Sequence, residues 1–146
     1  PMYWSKDGNA EGMCKGPADM DDFRMKFDSL EEQQEDPDSI YNYVKQVIRV
    51  RNQNPVIARG TTAYLEQYSG EQCFALTRSY EGSNLLLLGN TSAEAVSVDL
   101  TGLTVGGTTA EELVLLGELY TGEETAERAG TVVTLPAYSI LILGEE

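Results

Sequence analysis

The chain has 146 residues, of which 41% are hydrophobic, and a formal net charge of −14. That apolar content suits an ordinary folded domain and excludes wholesale disorder; no apolar run approaches the roughly 20 residues of a membrane-spanning helix. The charge is uneven: residues 1–60 carry 11 acids and 8 bases, whereas residues 61–146 carry 13 acids and only two bases, Arg78 and Arg128. This surface repels phosphate backbones and anionic lipid, which excludes nucleic acid and membrane as partners. The first residue is Pro1 and no signal-peptide pattern follows it, so a mature fragment or an excised piece is expected.

Residues 1–22 read as an irregular loop. Gly8, Gly12, Gly16 and Pro17 break any period, and Met2, Trp4, Met13 and Met20 share no spacing. Ser29-Leu30-Glu31-Glu32 fits a capping box, in which Ser29 caps and Glu32 reaches back, and predicts a short helix ending near Glu35. Asp36-Pro37 predicts a second start, with Asp36 as cap and Asp38 in the first turn. Ile40, Tyr43, Val44, Val47 and Ile48 then fall on one face of an amphipathic helix. Pro55 is expected to end it shortly after Asn52.

From Thr61 the period changes to that of strands. The predicted strands are 63–68, 72–79, 85–90, 96–100, 113–116, 131–135 and 139–143, separated by turn signals such as Glu81-Gly82-Ser83 and Ala129-Gly130. Val96, Val98 and Leu100 alternate, which predicts one wet face; the Leu85–Leu88 and Ile140–Leu143 runs predict strands buried on both sides. Short strands at this spacing point to an antiparallel sandwich of Greek-key type.

The chain contains no histidine, which removes Ser-His-Asp and Cys-His catalysis and ordinary zinc sites. Val105-Gly106-Gly107 lacks the spacing and the lysine of a phosphate loop. The carboxylates cluster in solvated runs, Asp19/Asp21/Asp22, Glu31/Glu32/Glu35, Glu111/Glu112 and Glu123/Glu124, none embedded in an apolar strand end. Residues 18–22 offer oxygens to calcium but lack the glycine and distal glutamate of an EF-hand loop. Cys73 reads as a small buried hydrophobe and Cys14 as a free thiol in a Gly-rich loop, with nothing to bring the two together. Tyr3 and Trp4 have two readings, a sugar-stacking platform or an anchor of the loop onto the core.

Three segments together carry a resemblance. Pro1-Met2-Tyr3-Trp4-Ser5 resembles the P-M-x-W loop after the last barrel strand of α-amylases and α-glucosidases of glycoside hydrolase family 13. Ser39 to Asn52, followed by Pro55 and Gly60, is similar to that family's closing barrel helix, and Leu135 to Leu143 is similar to the last hairpin of its C-terminal sandwich. The segment from Lys6 to Met20 departs from the commoner forms of the loop.

The resemblance implies a mainly β fold: an antiparallel Greek-key β-sandwich preceded by a loop and one or two helices left from a (β/α)8 barrel. It divides the chain at residues 1–60, the end of the barrel, and 61–146, the sandwich. It implies a parent enzyme that hydrolyses starch-like α-glucans with retention, calcium being a cofactor of the parent and none belonging to this chain. The catalytic carboxylates are expected upstream of Pro1, so this piece is expected to stabilise the barrel and to be inactive by itself. Met2, Tyr3 and Trp4 are the residues expected near substrate. The expected partner is the barrel of the same polypeptide; for the isolated piece, the cost of leaving Ile40, Tyr43, Val44, Val47 and Ile48 in water predicts separately that this face folds onto the sandwich or pairs with a second copy. Secreted bacterial enzymes act on substrates of this class. The alternative from another class is a stand-alone carbohydrate-binding sandwich. Against it, the single tryptophan lies outside the sandwich, and Tyr64, Tyr68, Tyr80, Tyr120 and Tyr138 read as strand packing. An isolated active hydrolase is the third reading, and nitrophenol release from an α-glucoside by the pure chain would establish it.

Overall fold

Alternating leucine and isoleucine runs place apolar side chains on both faces of a sheet, and each face then needs its own cover. That requirement organises the computed structural model, which describes residues 3–6 and 26–145. The chain falls into two units, residues 1–45 and 46–146.

In the first unit, helix α1 (Leu30–Glu35) begins at the expected capping box, with Ser29 and Glu32 exchanging both bonds. The turn after it differs from expectation. The Asp36 carboxylate accepts from the Asp38 N–H at 2.9 Å, and the Asp36 carbonyl from the Ser39 N–H at 3.2 Å, closing a turn around Pro37. Helix α2 (Ile40–Gln53) therefore starts three residues later than Pro37, and the Ser39 hydroxyl caps it by accepting from the Asn42 N–H at 3.2 Å. Asn42 staples the turn, donating to the carbonyls of Asp36 at 2.8 Å and Gln33 at 3.0 Å.

The second unit contains the end of α2, a short helix α3 (Pro55–Arg59) and ten strands. Pro55 does end α2, but it also opens α3, where its fixed φ and missing N–H suit the first turn. The strands are β1 (Thr61–Tyr64), β2 (Cys73–Tyr80), β3 (Ser83–Asn90), β4 (Val96–Asp99), β5 (Thr104–Val105), β6 (Thr108–Thr109), β7 (Val114–Leu119), β8 (Glu127–Ala129), β9 (Val132–Leu135) and β10 (Ile140–Gly144). All pairings are antiparallel. One sheet runs β1-β2-β3-β10-β7, the other β4-β9-β8, and β5-β6 is a separate hairpin. The last strand returns between β3 and β7, a Greek-key crossover, and the architecture is the expected β-sandwich.

Leu86, Leu88, Leu141 and Leu143 point inward and meet Val98, Leu100, Val133 and Leu135 in the main core between the sheets. Their neighbours Leu85, Leu87, Ile140 and Ile142 point outward and form a second cluster with Val50, Val56, Ile57 and Tyr80. The helical segment is thus a third layer over the outer face of the larger sheet. A Cβ on Gly117 of β7 would lie 3.0 Å from the Val50 side chain, so that glycine gives α2 its seat.

Several strand boundaries differ from expectation. The 63–68 prediction divides: β1 starts at Thr61, and residues 66–68 form a 3-10 turn that buries Tyr68, whose hydroxyl donates to the Thr101 carbonyl at 3.2 Å. The 113–116 prediction becomes β7, an edge strand with a bulge against β10; Leu113 is buried, but Leu115 and Leu116 are exposed. Cys73 is half-buried against the core rather than fully inside. Among the described residues no helix is long and apolar enough to cross a membrane.

Candidate functional site

A helix N-terminus leaves backbone N–H groups without intrahelical partners. Here the Trp4 loop supplies acceptors. The Tyr3 carbonyl accepts from the Leu30 N–H at 2.9 Å and the Trp4 carbonyl from the Glu31 N–H at 3.1 Å. Tyr3 closes the loop by donating its hydroxyl to the Lys6 carbonyl at 3.2 Å. The loop is therefore anchored on α1 by its backbone, and the Trp4 ring is left 46% exposed. Of the expected substrate-contacting residues, Tyr3 and Trp4 lie side by side here. Met2 lies outside the described residues, as do residues 7–22 of the loop, which include Cys14 and the acids Asp19, Asp21 and Asp22.

The amphipathic face of α2 is largely uncovered. Ile40 is 77% exposed, Val44 46% and Ile48 52%, while Tyr43 and Val47 are half-buried. Burying an apolar side chain of this size contributes about 1.5–3 kcal/mol relative to exposure, so this stripe is a costly surface to leave in water.

The two cations of the acidic region are both spent on structure. Arg78, on the outer face of β2, donates to the carbonyls of Val56 at 3.2 Å and Gly60 at 2.6 Å, and to the Thr62 hydroxyl at 2.6 Å. It fastens the C-terminal end of α3 to the sheet, where a positive charge also suits the helix dipole. Arg128 donates to the carbonyls of Ala110, Leu113 and Gly130 and ties β8 to the loop before β7. The one signal for either clamp is the scarcity of bases among so many acids.

The carboxylates with shifted ionisation serve as turn locks. Glu32 is held below the usual range by hydrogen bonds from the hydroxyl and then the backbone of Ser29. Asp99 is lowered by the Thr101 hydroxyl, the Thr101 N–H and the Thr131 hydroxyl, and Glu112 by the hydroxyl and N–H of Thr109. Such environments favour the ionised acceptor, the opposite of what a general acid requires. Among the described residues no group of three or more acids and cysteines is placed to hold a metal.

Tyr120 shifts the other way. Burial, and then the bond its hydroxyl donates to Glu118 at 2.6 Å, push it up to about 12 from 10.0. The folded protein holds this proton more tightly than the unfolded chain. Stability from Tyr120 is therefore complete below pH 10.0 and declines as pH rises toward about 12. Urea midpoints measured from pH 9 to pH 12 are expected to fall more steeply for the wild type than for Tyr120→Phe; parallel curves would refute the assignment.

No protein-family model matches the sequence, and no curated protein matches it. Solved structures do match. Amy13B of Eubacterium rectale is 38% identical over 99% of this chain, with a TM-score of 0.86. The α-amylase from H. orenii is 24% identical over 100% of the chain at a TM-score of 0.73. The trehalulose synthase MutB from Pseudomonas mesoacidophila MX-45 is 25% identical over 80% of it at 0.61. The chain spans 27%, 28% and 19% of those three chains respectively. The sandwich, its preceding helix and these likenesses define a C-terminal region of α-amylase-type enzymes. The chain belongs to glycoside hydrolase family 13.

Proposed function

We propose that this region is the non-catalytic C-terminal part of a hydrolase acting on starch-like α-glucans and that it stabilises the catalytic barrel. The observation that carries this reading is the uncovered stripe of Ile40, Val44 and Ile48 on α2, in a chain that spans only 27% of Amy13B. Residues 1–60 are then the end of the barrel and residues 61–146 the sandwich, with the stripe as the barrel's side of the seam. Exposure of Trp4 supports a role for Met2, Tyr3 and Trp4 at the rim of the substrate cleft. Without a barrel, the same face, with Tyr43 and Val47, pairs two copies of the chain.

The test is a chimera in which this chain replaces the matching region of Amy13B. The chimera is expected to melt higher than the rest of Amy13B alone. The triple substitution Ile40→Asp, Val44→Asp and Ile48→Asp is expected to cancel that gain. A triple variant that melts and hydrolyses starch like the unmodified chimera would overturn the proposal.

A further inference from the structure

The end of α2 and the exposed side of α3 border a depression of about 390 Å³, lined by Arg51, Asn52, Pro55, Ala58 and Arg59. It lies wholly within the second unit. Two arginines on one depression are unexpected in a chain whose 24 acids face only 10 bases. Carboxylates are abundant, yet among the described residues none pairs with either guanidinium.

Neither arginine is required by its own helix. A cation in the last turn of a helix can serve that helix's free carbonyls. At the end of α2 this is done by Asn54, whose N–H and side-chain amide donate to the Val50 carbonyl at 3.2 and 2.8 Å. At the end of α3 it is done by Arg78, through the carbonyls of Val56 and Gly60. Arg59 instead lies 6.0 Å over the Tyr80 ring, a contact that fixes its side chain and leaves its N–H groups for another acceptor.

The position of Arg51 decides what that acceptor is. Ile48, Arg51 and Asn52 stand at i, i+3 and i+4 and so share one face of α2. Val50 points elsewhere, into the layer over the sheet. Ile48 is 52% exposed and belongs to the uncovered apolar stripe. A surface that covers Ile48 therefore also covers Arg51, one turn on. Water removed from a guanidinium must be replaced by a matched acceptor, because an unpaired buried charge is strongly disfavoured. A free inorganic anion would pair the charge but leave Ile48 in water. A protein surface with a carboxylate beside apolar side chains answers both needs, and Pro55 and Ala58 offer it an apolar floor.

We infer that the depression between Arg51 and Arg59 receives an aspartate or glutamate side chain of the catalytic barrel, so that the apolar seam ends in a buried ion pair. The barrel as partner rests on the proposed stabilising role; the carboxylate rests on the two unpaired arginines and on their place beside Ile48. Melting of the Amy13B chimera with variants at position 51 tests it. Arg51→Lys keeps the charge and is expected to keep most of the melting gain. Arg51→Gln is expected to lose a large part of it, and Arg51→Glu nearly all. In the isolated chain Arg51→Gln is expected to shift melting by no more than about 2 °C, as for an ordinary exposed side chain.

A second readout is chemical. Carbodiimide joins an amine to a carboxylate that touches it. In the Arg51→Lys chimera, peptide mapping is expected to find position 51 joined to an acid of the Amy13B portion. Linkage of that position only to acids of this chain, or to none, overturns the inference. So does a loss of equal size for Arg51→Gln in the isolated chain. If the unmodified chimera melts no higher than the rest of Amy13B, the stabilising role fails and the ion pair with it. If the gain exists but survives both Arg51→Gln and Arg51→Glu, the ion pair alone fails.

Discussion

Replacing Asn90 with leucine is expected to lower the unfolding free energy by roughly 3–5 kcal/mol, because several buried polar groups lose their partner at once. Asn90 ends β3 and is buried. Its amide nitrogen donates to the carbonyls of Glu94 at 2.7 Å, Pro136 at 2.9 Å and Leu135 at 3.2 Å. Its amide oxygen accepts from the N–H of Ser92 at 2.9 Å and from the Ser92 hydroxyl at 2.8 Å. One side chain therefore joins the loop after β3 to the turn between β9 and β10, and so links the two sheets. Leucine matches the volume but offers no hydrogen bond. Asn90→Asp keeps the acceptor, loses the donors and adds a charge next to carbonyl oxygens, so it is expected to be no better. Urea unfolding followed by far-ultraviolet circular dichroism measures both. A leucine variant within about 1 kcal/mol of wild type would mean that water readily replaces the amide.

Gly60→Ala is expected to cost about 3 kcal/mol, at the upper end of ordinary overpacking, and to act on the outer layer alone. Gly60 has φ −69°, so backbone conformation does not demand glycine here. Space does. A Cβ would lie 2.5 Å from the Val56 carbonyl oxygen, 3.0 Å from the Ser79 carbonyl oxygen and 3.2 Å from the Ser79 nitrogen. All three are backbone atoms, and no rotamer change can move them aside. The Arg78 clamp on Val56 and Gly60 would be displaced together with α3. Amide exchange is the discriminating measurement: α3 and β1 should exchange faster, whereas β9, which faces the main core, should keep its protection. Wild-type exchange in α3 of the alanine variant would show that the close approach relaxes at little cost. The glycine that closes the family's barrel-helix motif thus has a physical reason in this chain, the contact between α3 and β2.

The strong periodicities were readable from residues alone. The Ser29–Glu32 box, the α2 stripe, the alternation of Val96, Val98 and Leu100, and the doubly buried β3 and β10 all repeat a local signal over several residues. What escaped was short or tertiary. β5, β6 and β8 have two or three residues each, too few to show a period. Asp36 looked like a helix cap because its own turn with Asp38 uses the same side-chain chemistry. Pro55 looked like a stop because proline both ends and begins helices, and only the contacts of Val56 and Ile57 with the sheet decide in favour of a new one. At the candidate site, Trp4 was visible as a residue type, but its exposure depends on backbone bonds to α1. Tyr138 reads as strand packing by residue type; its left-handed backbone belongs to the turn after β9 and is held by the Asn90 and Ser92 contacts, which sequence spacing does not show.

The third layer over the larger sheet also bears on how such a region passes between proteins. Val50, Val56 and Ile57 cover Leu85, Leu87, Ile140 and Ile142. A recombination breakpoint between Gly60 and Thr61 would strip that cover and leave a bare aliphatic strip on β3 and β10, a surface prone to aggregation. Exchange that respects this packing carries the end of the helix along with the strands. A piece that could be moved without baring that strip is longer than the β-sandwich and includes Val50, Val56 and Ile57.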